Sequence, residues 1–360
     1  MSYPTVSVMF MSYNHAPYLE RALDSVLNQT YQDYEIIFSD DCSQDNTKEI
    51  IARYSDSRLK PHFYTENQGA TINHRYLWKH SNGKYLALIN SDDVWLPTHL
   101  EKSVAYLEAN EQCGAVFSLA ALTDEDDRIL DPCCEVFNQP NRTQAEWVNH
   151  LFTKGNCLCH PSVVLRREVY DEIGFYKLGF RQLPDYNLWT RMVNQYSIHV
   201  LQEVLVQHRR CNKTNGNTSA PIVNNSVRDI NESLYTLLHY FDQMSDELFV
   251  EAFHMEFRNK DAITQEELLC EKFFLMYDRK YYMAPVSRYA AFFFLHDWYD
   301  ILSETLQEEY GFTLNDFHAL GQEFDLLNLR NTYSNIGNAI VSEKSILKRI
   351  IKKVRGKKNE

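Results

Sequence analysis

Two hydrophobic periods share the first 120 residues. Mainly apolar runs at Val6–Met11, Tyr34–Phe38, Tyr85–Ile89 and Ala115–Leu119 have the length of strands buried on both faces, with Lys60–Tyr64 as a fifth, more polar strand. Between them lie segments with 3.6-residue spacing. Pro17–Gln29 places Tyr18, Leu19, Ala22, Leu23, Val26 and Leu27 on one face, and Ser43–Tyr54, Ile72–His80 and Thr98–Asn110 read as further helices, with Ser43 or Asp45 available as the N-cap of the second. Strands alternating with helices at this spacing predict a parallel or mostly parallel α/β sheet with right-handed crossovers. Beyond about residue 225 the alternation stops. Ser226–Met244, Asp246–Asn259, Gln265–Tyr282, Val286–Leu306 and Leu314–Leu327 all carry helical spacing, which predicts three parts: an α/β domain over 1–225, a helical C-terminal domain over 226–342 and a tail over 343–360. The many aromatics of the helical part, among them Tyr289, Phe292, Phe293, Phe294, Trp298 and Tyr299, read as core packing.

The tail is the first place where charge changes the picture. Lys344–Lys358 (KSILKRIIKKVRGKK) holds basic residues and no acidic ones, in a chain whose net charge is −13. Ile346, Leu347, Ile350, Ile351 and Val354 form one stripe, so the segment predicts a short basic amphipathic helix for an anionic membrane surface. The acidic remainder excludes nucleic acid as the main partner, because nucleic-acid binders present basic surfaces. No apolar run approaches the roughly 18 residues of a membrane span, and the N-terminus lacks the charged start and apolar core of a signal peptide. The expectation is a cytoplasmic protein, peripheral on the inner face of the membrane. Its eight cysteines show no paired CxxC spacing, so Cys157 and Cys159 read as small buried hydrophobes in a reducing setting.

Candidate chemistry sits where the strands end. Three adjacent Asp pairs occur, and two of them, Asp40-Asp41 and Asp92-Asp93, directly follow strand-like runs. In a parallel sheet that position is the ligand rim. The third pair, Asp126-Asp127, lies in the polar stretch TDEDDR and reads as a solvated turn. The turn after the first strand, Ser12-Tyr13-Asn14-His15, contains neither GxGxxG nor GxxxxGK[ST], which argues against a dinucleotide fold and a P-loop. Strand-end carboxylates instead suit a hard divalent cation and, through it, a diphosphate. Asp185 follows Pro184 at the start of the amphipathic run DYNLWTRMVNQY, a helix N-terminus where a carboxylate is favoured by the dipole.

Six motifs in order, from PTVSVMFMSYNHAPYLERALDSVLNQTYQDYEIIFSDDCSQDNT through Asn67-Gln68-Gly69 with Asn73, Asn82-Gly83-Lys84-Tyr85, the Asp92-Asp93 pair, His160-Pro161-Ser162 and Pro184–Trp189, resemble the family-2 glycosyltransferases over about residues 4–220. The resemblance implies a GT-A fold and an inverting, metal-dependent transfer of sugar from a nucleotide donor, UDP-linked by expectation, to a glycan or lipid-linked glycan acceptor in surface-polysaccharide synthesis. It implies that Asp41 contacts the base, that Ser12, Asn14, Asn73 and Asp92 line the nucleotide-sugar, and that Asp93 ligates Mn²⁺ or Mg²⁺, with His208 as a possible second ligand. Asp185 takes the place of the general base, and His160 and Trp189 fall on the acceptor side. Cys211 stands where relatives often have a metal-binding histidine, and the expectation is that this thiol is not a ligand. The rival from another class is a non-catalytic nucleotide-sugar- or glycan-binding subunit of a membrane-associated assembly complex.

Overall fold

A computed structural model describes residues 3–132, 134–210, 223–280 and 283–324. The first seven elements are β1 (Val6–Ser12), α1 (Ala16–Leu27), β2 (Tyr34–Asp40), α2 (Thr47–Ile51), β3 (Leu59–Phe63), α3 (Ala70–His80) and β4 (Tyr85–Asn90). There follow β5 (Val94–Trp95), α4 (His99–Ala109), β6 (Cys113–Thr123), β7 (Ile129–Asp131), α5 (Gln144–Lys154), β8 (Val164–Arg166), α6 (Arg167–Ile173), α7 (Pro184–Val193) and β9 (Ser197–Arg209). Helices alone complete the described chain: α8 (Val223–Leu238), α9 (Asp246–Phe253), α10 (Gln265–Tyr277), α11 (Ala284–Tyr310) and α12 (Leu314–Glu323).

Among the described residues one sheet has the order β3-β2-β1-β4-β8-β6-β9-β5, with β7 beside β6. β1 lies parallel to both β2 and β4, β2 is parallel to β3 and β6 to β9, whereas β8 is antiparallel to its neighbours and β5 to β9. The centre of the sheet is dry. Val6, Val8, Phe10, Ile36, Phe38, Leu86, Ala87 and Leu88 are fully buried, each large side chain contributing about 1.5–3 kcal/mol of burial. α1 covers this centre with Leu19, Ala22, Leu23 and Val26 at i, i+3, i+4 and i+7, and Pro17 occupies its first turn.

The ends of the strands remote from the acidic pairs are pinned by a buried carboxylate. Glu35 accepts from Ser7 Oγ (2.6 Å), the Asn82 amide (2.8 Å) and Lys60 Nζ (2.5 Å). Beside it Gly83 packs so tightly on β1 that a Cβ would stand 2.5 Å from the Ser7 nitrogen. Only glycine fits there.

The longer ladders of the sheet are parallel, as the alternation predicts, but two elements depart from the sequence reading. The helix expected over Ser43–Tyr54 shrinks to α2, because Asp40 and Asn14 claim the amides of Ser43 and Gln44 for a loop and Asp45 accepts from the Thr47 amide where the helix begins. β9 was not anticipated at all, since Gln202-Glu203 interrupts its apolar run.

The described residues fall into two compact units, divided between Phe294 and Leu295. Helices α8–α10 belong to the first unit: Tyr240 Oη donates to the Val148 carbonyl (2.7 Å), and Asn149 Nδ2 to that of Ala252 (2.9 Å). In the second unit Tyr299 stacks on Phe317 with ring centroids 4.9 Å apart, and Thr313 with Asp316 forms a capping box at α12. The basic tail over 343–360 lies outside the described residues, as does Cys211.

Candidate active site

Because β1, β2 and β4 are adjacent and parallel, their carboxyl ends deliver three loops to one edge. Ser12 is in register with Asp40, and Met11 with Asn90. Asp41 follows at once and is buried, its Oδ1 accepting from the Gln68 amide (2.7 Å) and its Oδ2 from that of Gly69 (2.9 Å). Gly69 has φ of 88°, which favours glycine in Asn67-Gln68-Gly69. Each Asp41 oxygen still has acceptor capacity after these bonds. Asn14, at φ 52°, donates its amide to Ser43 Oγ (2.7 Å) and accepts from the Gln44 amide (2.8 Å). Asp40 takes the Ser43 amide (2.8 Å), and burial pushes its carboxyl up. Asn73 is fully buried and donates Nδ2 to the Ser39 carbonyl (3.2 Å). Among the described residues its Oδ1 and the Ser12 hydroxyl, both buried, have no hydrogen-bond partner.

The two carboxylates of the β4 loop differ sharply. Asp93 is fully buried, its Oδ1 accepting from His208 Nδ1 (2.8 Å) and the Arg209 amide (3.0 Å), and its Oδ2 from Asn90 Nδ2 (3.0 Å). Asp92 remains partly exposed, with His15 Nδ1 at 3.7 Å. Burial and the neighbouring Asp93 charge push the Asp92 carboxyl up. Burial acts the same way on Asp93, yet His208 and the three donors hold it below the usual carboxylate range. Burial lowers the His208 pKa, but the Asp93 charge and hydrogen bond outweigh it and raise the imidazole.

β9 carries His208 into place by pairing with β5 on one side and β6 on the other. Its last residue, Arg209, is the part of the site that sequence reasoning missed. The guanidinium is buried, donates Nε to the Asp92 carbonyl (3.0 Å), reaches the Asp124 carbonyl and the Asp127 carboxylate, and lies 4.2 Å over the Tyr18 ring. Arg21 pairs with the same Asp127. The TDEDDR stretch is a turn with Asp126 and Arg128 exposed, as expected, but Asp127, at φ 64°, also anchors the arginine that braces the Asp92 backbone.

Asp185 stands in the first turn of α7, as predicted. Its Oδ1 accepts from the Tyr186 amide (2.8 Å) and its Oδ2 from Asn156 Nδ2 (2.8 Å), a partner just after Gly155 that no sequence pattern marked. His160 bonds Tyr176 Oη through Nε2 (2.9 Å). Burial lowers its pKa, while the charges of Asp185 and Asp93 act in the opposite sense. Trp189, expected on the acceptor side, is fully buried with its ring 5.0 Å from that of Phe117, where it packs the core.

Among the described residues no group of three or more His, Cys, Asp or Glu side chains is disposed to hold a metal. Asp93 and His208 together offer a carboxylate and an imidazole, both acceptable to Mn²⁺ or Mg²⁺, and a diphosphate with water supplies the remaining oxygens such ions take. A two-residue protein share fits that arrangement.

Residues 7–174 match the model of glycosyl transferase family 2. The putative glycosyltransferase EpsE of Bacillus subtilis is 30% identical over 218 residues, which cover 57% of this chain and 73% of EpsE. The chain belongs to glycosyltransferase family 2. The putative teichuronic acid biosynthesis glycosyltransferase TuaG of B. subtilis is 28% identical over 214 residues, 59% of this chain and 81% of TuaG. Among solved structures, S. aureus TarS 1–349 in complex with UDP-GlcNAc superposes with a TM-score of 0.52 at 15% identity, over 85% of this chain and 76% of that one. The fold is therefore GT-A, with a helical C-terminal region. No helix of the described residues is long and apolar enough to cross a membrane.

Proposed function

We propose that this enzyme moves a sugar from a UDP-linked donor to a hydroxyl of a glycan or lipid-linked glycan, with inversion, in the synthesis of a surface polysaccharide. One observation carries the reading: in a chain of this family a fully buried carboxylate, Asp93, follows β4, and a second, Asp185, opens α7 with both its oxygens held by donors. A non-catalytic subunit has no need to hold both.

In this reading Asp41 receives the base of the nucleotide. A uracil N3–H is a donor that its remaining lone pairs match, and the UDP-GlcNAc of TarS lends support. A cation held by Asp93 and His208 would neutralise the charge that gathers on the departing diphosphate. Asp185 accepts the proton of the attacking hydroxyl, its two oxygens kept in place by Tyr186 and Asn156. The acceptor class rests on TuaG and on the basic tail, which would hold the protein at the inner membrane face. The test is Asp185→Asn, which keeps the shape but takes no proton. It should lower UDP release from UDP-sugars by about 10²–10⁴ while UDP affinity stays level. Unchanged turnover removes Asp185 from the chemistry.

A further inference from the structure

Asp185 owes its place to more than α7. The N-cap of that helix is Leu183, whose side chain accepts nothing, and the amides leading into it have no local acceptor. A carboxylate from another helix meets them. Glu232, buried on α8, accepts from the Arg181 amide through Oε1 (2.8 Å) and from those of Gln182 (2.8 Å) and Leu183 (2.6 Å) through Oε2. Three consecutive peptide N–H groups thus converge on one side chain, as in the backbone nests that hold anions.

The residues around it on α8 grip the same stretch. Tyr235 packs its ring 5.6 Å from Phe180 and accepts from Lys177 Nζ (2.8 Å), and Thr236 Oγ1 accepts from Asn187 Nδ2 (3.3 Å). Positions 232, 235 and 236 lie on one helix face. Between the held amides and Asp185 stands only Pro184, whose ring fixes φ near −65° and transmits the orientation of the preceding peptides.

We infer that Glu232 is the positioning residue for Asp185: by clamping the 181–183 backbone it sets the angle at which the Asp185 carboxylate meets the acceptor hydroxyl. The inference rests on Asp185 being the base. It also gives the helices after residue 222 a part in catalysis, since α8 supplies the clamp from outside the 7–174 stretch that matches the family.

The experiment uses the full-length chain and three variants: Glu232→Gln, Asp185→Asn and the double variant. Glutamine keeps the volume but turns one acceptor into a donor that faces peptide N–H groups. Amide hydrogen exchange at 181–183 should quicken, and kcat for UDP release from the UDP-sugar that the wild type turns over best should fall about 10- to 100-fold, the scale of small misplacements. UDP affinity should stay within twofold, because the donor residues sit on other elements. In the Asp185→Asn background the further loss in kcat should vanish, since the clamp acts only through that carboxylate. If Glu232→Gln does not fold, Tyr235→Phe with Thr236→Val loosens the same face and should show the same kcat-only effect. Unchanged kcat, a matching fall in UDP affinity, or a loss that multiplies with Asp185→Asn overturns the inference. Should Asp185→Asn itself leave turnover intact, it is the base assignment that fails.

Discussion

Arg209→Leu is the sharpest probe of how the site is built. The substitution removes a buried guanidinium that serves the carbonyls of Asp92 and Asp124, the Asp127 carboxylate and the Tyr18 ring. Asp127 is a third exposed and keeps Arg21, so orphaning it costs little. The two carbonyls are another matter, because a hydrogen bond from a charged donor is worth about 1.5–3 kcal/mol and leucine offers none. With the ring contact discounted, the loss comes to about 3–5 kcal/mol. Urea unfolding followed by near-UV circular dichroism measures it. Arg209→Lys should lose about half as much, since an ammonium on a flexible stem cannot reach all three oxygens as the planar fork does. Function should follow. The Arg209 amide bonds Asp93, so a displaced strand end should weaken UDP binding in Mn²⁺ at least tenfold by calorimetry. Stability within about 1 kcal/mol of wild type together with unchanged UDP affinity would refute the bracing role.

Asp93→Ala should abolish metal-dependent UDP binding, and calorimetry with and without Mn²⁺ decides it, equal affinities in the two conditions removing Asp93 from the metal. Glu35, held below the usual carboxylate range by Lys60, Ser7 and Asn82 against its burial, contributes stability that is present above about pH 4.5 and is lost as pH falls through its lowered value. Glu35→Gln should therefore flatten the fall in stability between neutral and acidic pH, and an equally steep acid limb in the variant would count against it. Truncation after residue 342 should leave UDP release intact and reduce sedimentation with anionic vesicles, an effect that salt weakens because screening acts over roughly 10 Å at 0.1 M. Equal vesicle binding by both forms at low salt rules out the tail as the anchor.

The legible parts of this protein are those whose signal is local. β1, β2 and β4 are short, mainly apolar runs, and the carboxylates that close β2 and follow β4 announce the rim. Pro184 followed by an amphipathic stretch is enough to put Asp185 at a helix start. What the sequence hid depends on partners far away. Arg209 finds Asp127 across 82 positions, Asn156 finds Asp185 across 29, and Glu232 finds the 181–183 amides across about 50. No spacing rule connects such pairs. β9 was hidden for a different reason. Its middle carries Gln202 and Glu203, both exposed, so a strand buried at its ends reads as a loop until β6 and β5 are seen on either side. Trp189 errs the opposite way, because an aromatic in a family motif invites a sugar-stacking role and its zero exposure gives it to the core.

The place of β9 also bears on the order in which the chain can be assembled. As the polypeptide leaves the ribosome, β6 is made some 75 residues before the strand that must lie parallel beside it, and parallel pairing across such a separation is intrinsically slow. Until Ser197–Arg209 has been synthesised, Asp93 lacks both the imidazole and the amide that offset its negative charge, and β6 presents an open edge to its surroundings. A nascent chain halted at residue 174, where the family resemblance stops, would therefore expose the flank that the finished protein closes last.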